Sequence, residues 1–219
     1  MSRPLYRRLR AVVAWLCQRL YRVEVEGAGN IPRAGGCLLA ANHDSSIDPA
    51  LLALTTDRPI RFIARAELWQ PGLRHLLDAL GAIPVRRGEG DNRAIRRAKR
   101  LLEAGELVAI FPQGTVLRFR NRRFRRGAAR VALATGAPLV PVRLFGTAAA
   151  FSLLPPRLGF PKLRVVVGEP LLVERREPSR EAATELTAEL ESAIAALGVS
   201  EPGSSTELGE ALGDDLRVA

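Results

Sequence analysis

The chain has 219 residues, of which 47% are hydrophobic and 26% are charged. This length and composition are typical of one globular domain and exclude a collagen-like or broadly disordered chain. Two cysteines, Cys17 and Cys37, are too few for a disulfide framework or a cysteine-rich metal site.

The formal net charge is +10, and it is distributed unevenly. The first 130 residues carry 25 Arg and Lys against 11 Asp and Glu, whereas the remainder carries 8 against 12. A basic surface attracts partners that bear phosphate, and nucleic acid and anionic lipid are the two obvious kinds. All but two of the basic residues are arginine, which fits phosphate recognition but equally fits a base composition that favours arginine codons.

The first predicted element is an amphipathic helix over residues 1–22. Its apolar residues recur at spacings of three and four, which places them on one helical face. They are Leu5, Leu9, Val12, Val13, Leu16 and Leu20. Tyr6, Trp15 and Tyr21 are suited to a membrane interface, so we expect a helix that lies on a bilayer; the alternative is that the same face packs on the protein's own core.

Short β-branched runs then alternate with helical patterns. The predicted strands cover 22–26, 36–40, 59–64, 82–85, 107–111, 139–144 and 163–167, and the predicted helices cover 48–56, 67–80, 91–104, 124–135 and 179–197. This alternation predicts a single-domain α/β sandwich over 23–197, with a mixed, largely parallel sheet flanked by helices. The acidic segment 198–219 is predicted to be a disordered tail.

One histidine follows the second predicted strand, where ligands usually bind in α/β sheets. His43 is separated by five positions from Asp48, which precedes Pro49 and is therefore expected to cap the next helix. If the loop folds the carboxylate onto the imidazole, Asp48 orients His43 as a general base. The alternative is a helix cap beside an ordinary loop histidine.

Metal chemistry and a protein nucleophile are both disfavoured. A zinc site needs three or four ligands, and the second histidine, His75, lies in a helical pattern without ligand-type neighbours. Ser45 and Ser46 have no nucleophile elbow around them. Direct attack by a substrate hydroxyl is then the simplest interpretation.

Three other predicted strands end in residues that suit an anionic ligand. Arginine grips phosphate, and amides at a glycine turn can receive an oxyanion. The segments concerned are GAIPVRRG with Arg86 and Arg87, AIFPQGT with Gln113, Gly114 and Thr115, and PLVPVRLFGT with Pro141 and Arg143.

Taken in order, these segments resemble the four motifs of the 1-acylglycerol-3-phosphate acyltransferase family over about 23–169. NHDSSID is similar to the first motif, which implies His43 as the base and Asp48 as its partner. GAIPVRR is similar to the second, which implies that Arg87 holds the glycerol phosphate. FPQGT and VPV are similar to the third and fourth.

The third motif departs from the family pattern FPEGTR, because Gln113 replaces the glutamate and Val116 replaces the arginine. One phosphate contact implied by the family is therefore missing. We hypothesise that Arg87, helped by Arg118, Arg125 or Arg126, still engages phosphate. The competing hypothesis is a lysolipid with a different headgroup.

The resemblance implies transfer of an acyl chain from acyl-CoA or acyl carrier protein to a lysophospholipid, without a cofactor or metal, at the cytoplasmic face of a membrane. Backbone amides near Gly114 and Thr115 are the expected oxyanion donors, and the apolar segment 144–154 is expected either to line an acyl groove or to form an ordinary buried loop. Two alternatives are an inactive lipid-binding relative and a nucleic-acid-binding module, the latter because segment 118–130 interleaves phenylalanine with arginine.

Overall fold

The computed structural model describes residues 3–79, 81–85, 92–114, 123–153 and 156–198. The helices in these ranges are α1 (Arg3–Leu20), α2 (Asp48–Leu54), α3 (Arg74–Ala79), α4 (Asn92–Glu103), α5 (Gly127–Thr135), α6 (Thr147–Ala150) and α7 (Arg180–Ala196). The strands are β1 (Val23–Glu26), β2 (Cys37–Ala41), β3 (Ile60–Arg65), β4 (Ile83–Val85), β5 (Leu107–Ile110), β6 (Leu139–Phe145), β7 (Phe151–Leu153), β8 (Pro156–Leu158) and β9 (Leu163–Val167).

Seven of these strands form one mixed sheet in the order β1-β9-β6-β2-β5-β3-β4. The strands from β6 to β4 are parallel to one another, whereas β9 runs antiparallel to β6 and pairs in parallel with β1. The predicted α/β fold with a largely parallel sheet is confirmed. The carboxyl ends of β2, β5 and β6 meet at one edge, where loops can build a ligand site.

The central strand β2 is fully buried because helices cover both faces of the sheet. Its side chains alternate between two cores, as the period of a strand requires. Cys37 and Leu39 pack with residues of α1 and α2, whereas Leu38 and Ala40 pack with residues of α4, α5 and α7. This burial from both sides makes the end of β2 a rigid base for the loop that carries His43.

Helix α1 is present as predicted, and its apolar residues divide between two surfaces. Tyr6, Cys17 and Tyr21 are buried against the core, so the expectation that both tyrosines lie at a membrane interface is wrong. The apolar side chains that remain exposed are Val12, Trp15, Leu16 and Leu20. A membrane-spanning helix, which must be long and apolar, is not found in the described ranges.

Two regions differ from the sequence prediction. The helix expected over 67–80 is reduced to a 3₁₀ turn at Ala66–Leu68 and to α3, since Pro71 and Gly72, the latter at φ 95°, interrupt it. Between β6 and β9 the chain forms α6 and a β7-β8 hairpin that the pattern did not predict. The predicted tail lies outside the described residues from 199 onward.

Candidate active site at the carboxyl end of the sheet

Asn42, which directly follows β2, joins the ends of two neighbouring strands. Its side-chain amide donates to the Leu144 carbonyl at 2.9 Å, and its side-chain oxygen accepts from the Leu144 amide at 2.7 Å. The same amide group also donates to a carboxylate oxygen of Asp44 at 2.8 Å. The loop after β2 is therefore fixed to β6 at the point where the candidate base begins.

His43 and Asp48 are brought together as predicted. The His43 Nδ1 atom lies 2.8 Å from Asp48 Oδ2, and Asp48 is fully buried. The backbone amides of Asp44 and Ser45 also donate to Oδ2, at 2.8 and 2.9 Å. Because this oxygen accepts from two amides, the His43 contact is best satisfied with the hydrogen on Nδ1, which leaves Nε2 as the ring nitrogen able to take a proton.

Asp48 does not cap helix α2, and that part of the sequence interpretation is wrong. The N-cap position is Ile47, and Asp48 occupies the first turn of the helix, followed by Pro49. Its carboxylate turns back toward the loop instead, because the amides of Asp44 and Ser45 converge on it. The helix thus fixes the Asp48 backbone, while the side chain of Asp48 forms its hydrogen bonds with the loop.

The FPQGT segment holds His43 from two further directions. The Phe111 ring stacks on the imidazole, with centroids 4.1 Å apart and planes inclined by 20°. The Gln113 side-chain oxygen accepts a hydrogen bond of 2.6 Å from the His43 backbone amide. Gln113, expected at a substrate contact, therefore uses its oxygen to position the base.

Asp44 places a second carboxyl group beside the dyad. Burial raises the pKa of this carboxyl above its usual range, the hydrogen bond from Asn42 opposes the shift, and the nearby charge of Asp48 adds to it. Asp44 is also joined to the dyad through its backbone amide, which donates to Asp48 Oδ2.

The turn after β5 is closed by its own backbone. Gly114 has φ 72°, in the left-handed region, and its amide donates to the Phe111 carbonyl at 2.9 Å. That amide is engaged in the turn, so the expectation that it receives an oxyanion is not supported. Thr115, Arg86 and Arg87, the other residues assigned to substrate binding, lie outside the described residues, as does the part of segment 118–130 before Arg123.

The remaining predicted residues do not join the cluster around His43. Pro141 is buried within β6 opposite Ala40, and its carbonyl accepts from the Gly168 amide at 2.9 Å. Arg143 donates to the Leu197 carbonyl at 3.0 Å, beyond the carboxyl end of α7. A role for Pro141 in substrate binding stays a prediction.

Sequence reasoning missed Asn42 and Phe111, although both adjoin residues that it selected. The signal available was their position, one residue before His43 and two before Gln113. His75 is exposed on α3, away from this cluster in sequence. In the portion of the chain that the structure describes, no group of three or more His, Cys, Asp or Glu side chains could hold a metal ion.

Comparison with known proteins gives consistent results. The acyltransferase family model matches residues 22–144. A 1-acyl-sn-glycerol-3-phosphate acyltransferase of Bacillus subtilis is 31% identical over 151 residues, which cover 68% of this chain and 73% of that protein. The one of Borreliella burgdorferi is 30% identical over 130 residues, and this match covers 58% of the chain.

The matched part spans only 52% of the Borreliella protein and 38% of a chloroplastic relative from Brassica napus. Among solved structures, the 1-acyl-sn-glycerophosphate (LPA) acyltransferase PlsC of Thermotoga maritima superposes with a TM-score of 0.69 at 26% identity. That superposition covers 86% of this chain and 76% of the Thermotoga chain. The likeness therefore extends over most of both chains.

Proposed function

Because the chain belongs to the acyltransferase family, we propose that it transfers a fatty acyl chain from an acyl thioester to the hydroxyl of a lysophospholipid. The proposed acceptor is 1-acylglycerol-3-phosphate, and the product is phosphatidic acid. The donor is acyl-CoA or acyl carrier protein. The names of the Bacillus, Borreliella and Thermotoga proteins support this substrate class.

The observation that carries the proposal is the hydrogen-bonded pair of His43 and Asp48. A buried carboxylate that holds Nδ1 of an imidazole leaves Nε2 basic, which is the arrangement needed to deprotonate a hydroxyl. A metal-free hydroxyl is a weak nucleophile at neutral pH, so a positioned base is required. Asn42, Phe111 and Gln113, which contact the pair or its loop, carry no group that takes up a proton near neutral pH, and the Asp44 carboxyl group accepts a hydrogen bond from Asn42.

The reaction is a single displacement. As the acceptor oxygen attacks the thioester carbonyl, its proton passes to His43 Nε2, and a carbon–oxygen bond forms. The tetrahedral intermediate then collapses, the carbon–sulfur bond breaks, and the proton on His43 is returned to the thiolate. Asp48 stabilises the imidazolium formed between these steps.

The proposed site of action is the cytoplasmic face of a membrane, with α1 as the peripheral attachment. The segment 3–22 contains six arginines and no acidic residue, and α1 presents Val12, Trp15, Leu16 and Leu20 to solvent. Exposed apolar side chains flanked by cations fit the interface of an anionic bilayer. A lipid surface also explains the basic composition without invoking nucleic acid.

The test is a transfer assay with purified protein in detergent micelles. Long-chain acyl-CoA and acyl carrier protein are each supplied with lysophosphatidic acid, lysophosphatidylcholine or monoacylglycerol, and products are identified by mass spectrometry. We expect phosphatidic acid from the first acceptor with at least one donor. Transfer only to the other acceptors would contradict the proposed acceptor, and no transfer at all would contradict the proposed activity.

A further inference from the structure

An arginine lies against the turn that precedes, in sequence, the position where the family's arginine is missing. Val116 stands where the motif has arginine, but the Arg125 backbone amide donates to the Pro112 carbonyl at 3.0 Å and so returns the chain to this turn. The Arg125 side chain then covers Gly114: a Cβ added to Gly114 would lie 3.1 Å from Nε and 3.2 Å from Cζ. The guanidinium is thus adjacent to the third motif.

Among the described residues, no acidic side chain pairs with Arg125. Arg61 and Arg164 pair with Glu106 and Glu26, and Arg143 donates to carbonyls at the carboxyl end of α7. By contrast, within the described ranges the exposed Arg125 side chain forms no ion pair or hydrogen bond. Its donors are therefore available to a ligand.

This guanidinium lies against the same turn that holds His43. Gln113, which precedes Gly114, bonds to the His43 backbone, and Phe111 stacks on its ring. Helix α5 begins at Gly127, two residues after Arg125, so the guanidinium belongs to a residue next to the amino end of that helix, which carries partial positive charge.

We propose that Arg125 binds the phosphate of the acceptor and replaces the arginine absent at position 116. This inference rests on the proposed function and names the residue that selects its phosphate-bearing acceptor. Arginine binds phosphate through two parallel hydrogen bonds, and the absence of a side chain at Gly114 leaves room for the guanidinium against the turn. Coenzyme A also carries phosphates, so the experiment separates the two sources.

The experiment compares Arg125→Gln with Arg130→Gln, which changes an exposed arginine on α5. Apparent KM values are measured separately for lysophosphatidic acid, for a lysolipid without a phosphomonoester and for acyl-CoA. We expect Arg125→Gln to raise KM for lysophosphatidic acid roughly tenfold to a hundredfold, the loss typical of a charged hydrogen-bonding partner. The other two KM values and all those of Arg130→Gln should stay within about twofold.

A second part of the experiment restores the arginine of the third motif. Adding Val116→Arg to Arg125→Gln should recover most of the lost affinity, which a merely structural role of Arg125 would not permit. Equal KM values for Arg125→Gln and Arg130→Gln would overturn the inference. A rise confined to KM for acyl-CoA would also overturn it, because the bound phosphate would then belong to the donor.

A binding measurement keeps this inference separate from the proposed function. Lysophosphatidic acid in micelles is titrated into His43→Ala protein with and without Arg125→Gln, and binding is followed by calorimetry. Binding that depends on Arg125 supports the inference even if the wild-type protein transfers no acyl group, in which case only the proposed function fails. Binding that is unchanged by Arg125→Gln contradicts the inference whatever the activity.

Discussion

His43 is held by three neighbours that act on different parts of the residue. Asp48 bonds to its ring nitrogen, Phe111 packs on its ring face, and Gln113 bonds to its backbone amide. A general base works only in a restricted geometry, and misplacement by about 1 Å can cost a large factor in rate. Each contact therefore contributes to turnover more than to binding.

Replacing Phe111 with leucine tests the stacking contact. Leucine keeps an apolar side chain but removes the planar ring, whose stacking is worth about 0.5–1.5 kcal/mol. We expect kcat to fall roughly twofold to tenfold with little change in acceptor KM. Phe145→Leu, which removes a ring packed against Arg143 and Arg164, is the matched control. Equal kcat values for the two variants would contradict a role for Phe111 in positioning.

Replacing Gln113 with glutamate tests how a negative charge at this position affects His43. A glutamate oxygen can still accept from the His43 amide, but the added negative charge stabilises a protonated imidazole. Because the base must be neutral to act, the acidic limb of the kcat/KM profile should move to higher pH, by on the order of one pH unit.

Gln113→Leu separates charge from hydrogen bonding. This variant leaves the His43 amide without its acceptor, so activity should fall while the acidic limb stays in place. A glutamate variant whose acidic limb coincides with that of the wild type would contradict the proximity of position 113 to the reacting group.

At this scale the spacing of His43 and Asp48 left two interpretations open, and the resemblance of NHDSSID to the first family motif implied the pair. Gln113 was predicted as a substrate contact and not as a support of the base. The helix-cap role of Asp48 was wrong. Its carboxylate binds two backbone amides of the preceding loop, those of Asp44 and Ser45, and does not bind an amide of the helix. Phe111 was not predicted, since contact between β5 and the loop after β2 depends on strand order.

At the scale of elements, α7 closes one face of the sheet. Leu190 and Ile194 of α7 are buried in the core that also contains α4 and α5. The helix starts at an N-cap serine, Ser179, whose hydroxyl accepts from the Ala182 amide at 3.1 Å. This hydrogen bond satisfies one of the free amides of the first turn.

Removing the cap should destabilise the protein without affecting the site. Ser179→Ala is expected to lower the free energy of unfolding by about 1 kcal/mol, measured by urea denaturation. Ser179→Asp retains an acceptor oxygen and should keep most of the stability. An aspartate variant as unstable as the alanine variant would show that the hydroxyl does not act as a cap.

The strands were predictable because buried parallel strands appear as short apolar, β-branched runs. The error in α3 arose where Pro71 and Gly72 break a helical pattern that continues on either side. The segment from α6 to β8 was not predicted, since its sequence shows neither the β-branched runs of the predicted strands nor a sustained helical spacing.

At the scale of the whole molecule, α1 extends its exposed apolar surface to a cleft at its carboxyl end. Leu20 and Phe160 line this cleft together with Arg19, Arg22 and Lys162. Trp15 and Phe160 are 63% and 64% exposed, which is unusual for aromatic side chains of this size. Strand register places the start of β1, beside this cleft, at the same end of the sheet as Asn42.

Removing apolar side chains from α1 should weaken membrane attachment. The double variant Trp15→Ser with Leu16→Ser is expected to lose at least tenfold in partitioning to phosphatidylglycerol vesicles, measured by co-sedimentation. Leu172→Ser removes an apolar side chain that is 86% exposed elsewhere and should bind like the wild type. Equal loss in both variants, or none in either, would contradict attachment through α1.

The most direct test of the account compares the two histidines of the chain in the transfer assay. His43→Ala should reduce the rate of phosphatidic acid formation from acyl thioester and lysophosphatidic acid by at least about a hundredfold, which is the usual contribution of a general base. His75→Ala, an exposed site on α3, should retain wild-type activity, and both variants should fold. Full activity in folded His43→Ala would contradict the assignment of this histidine as the catalytic base.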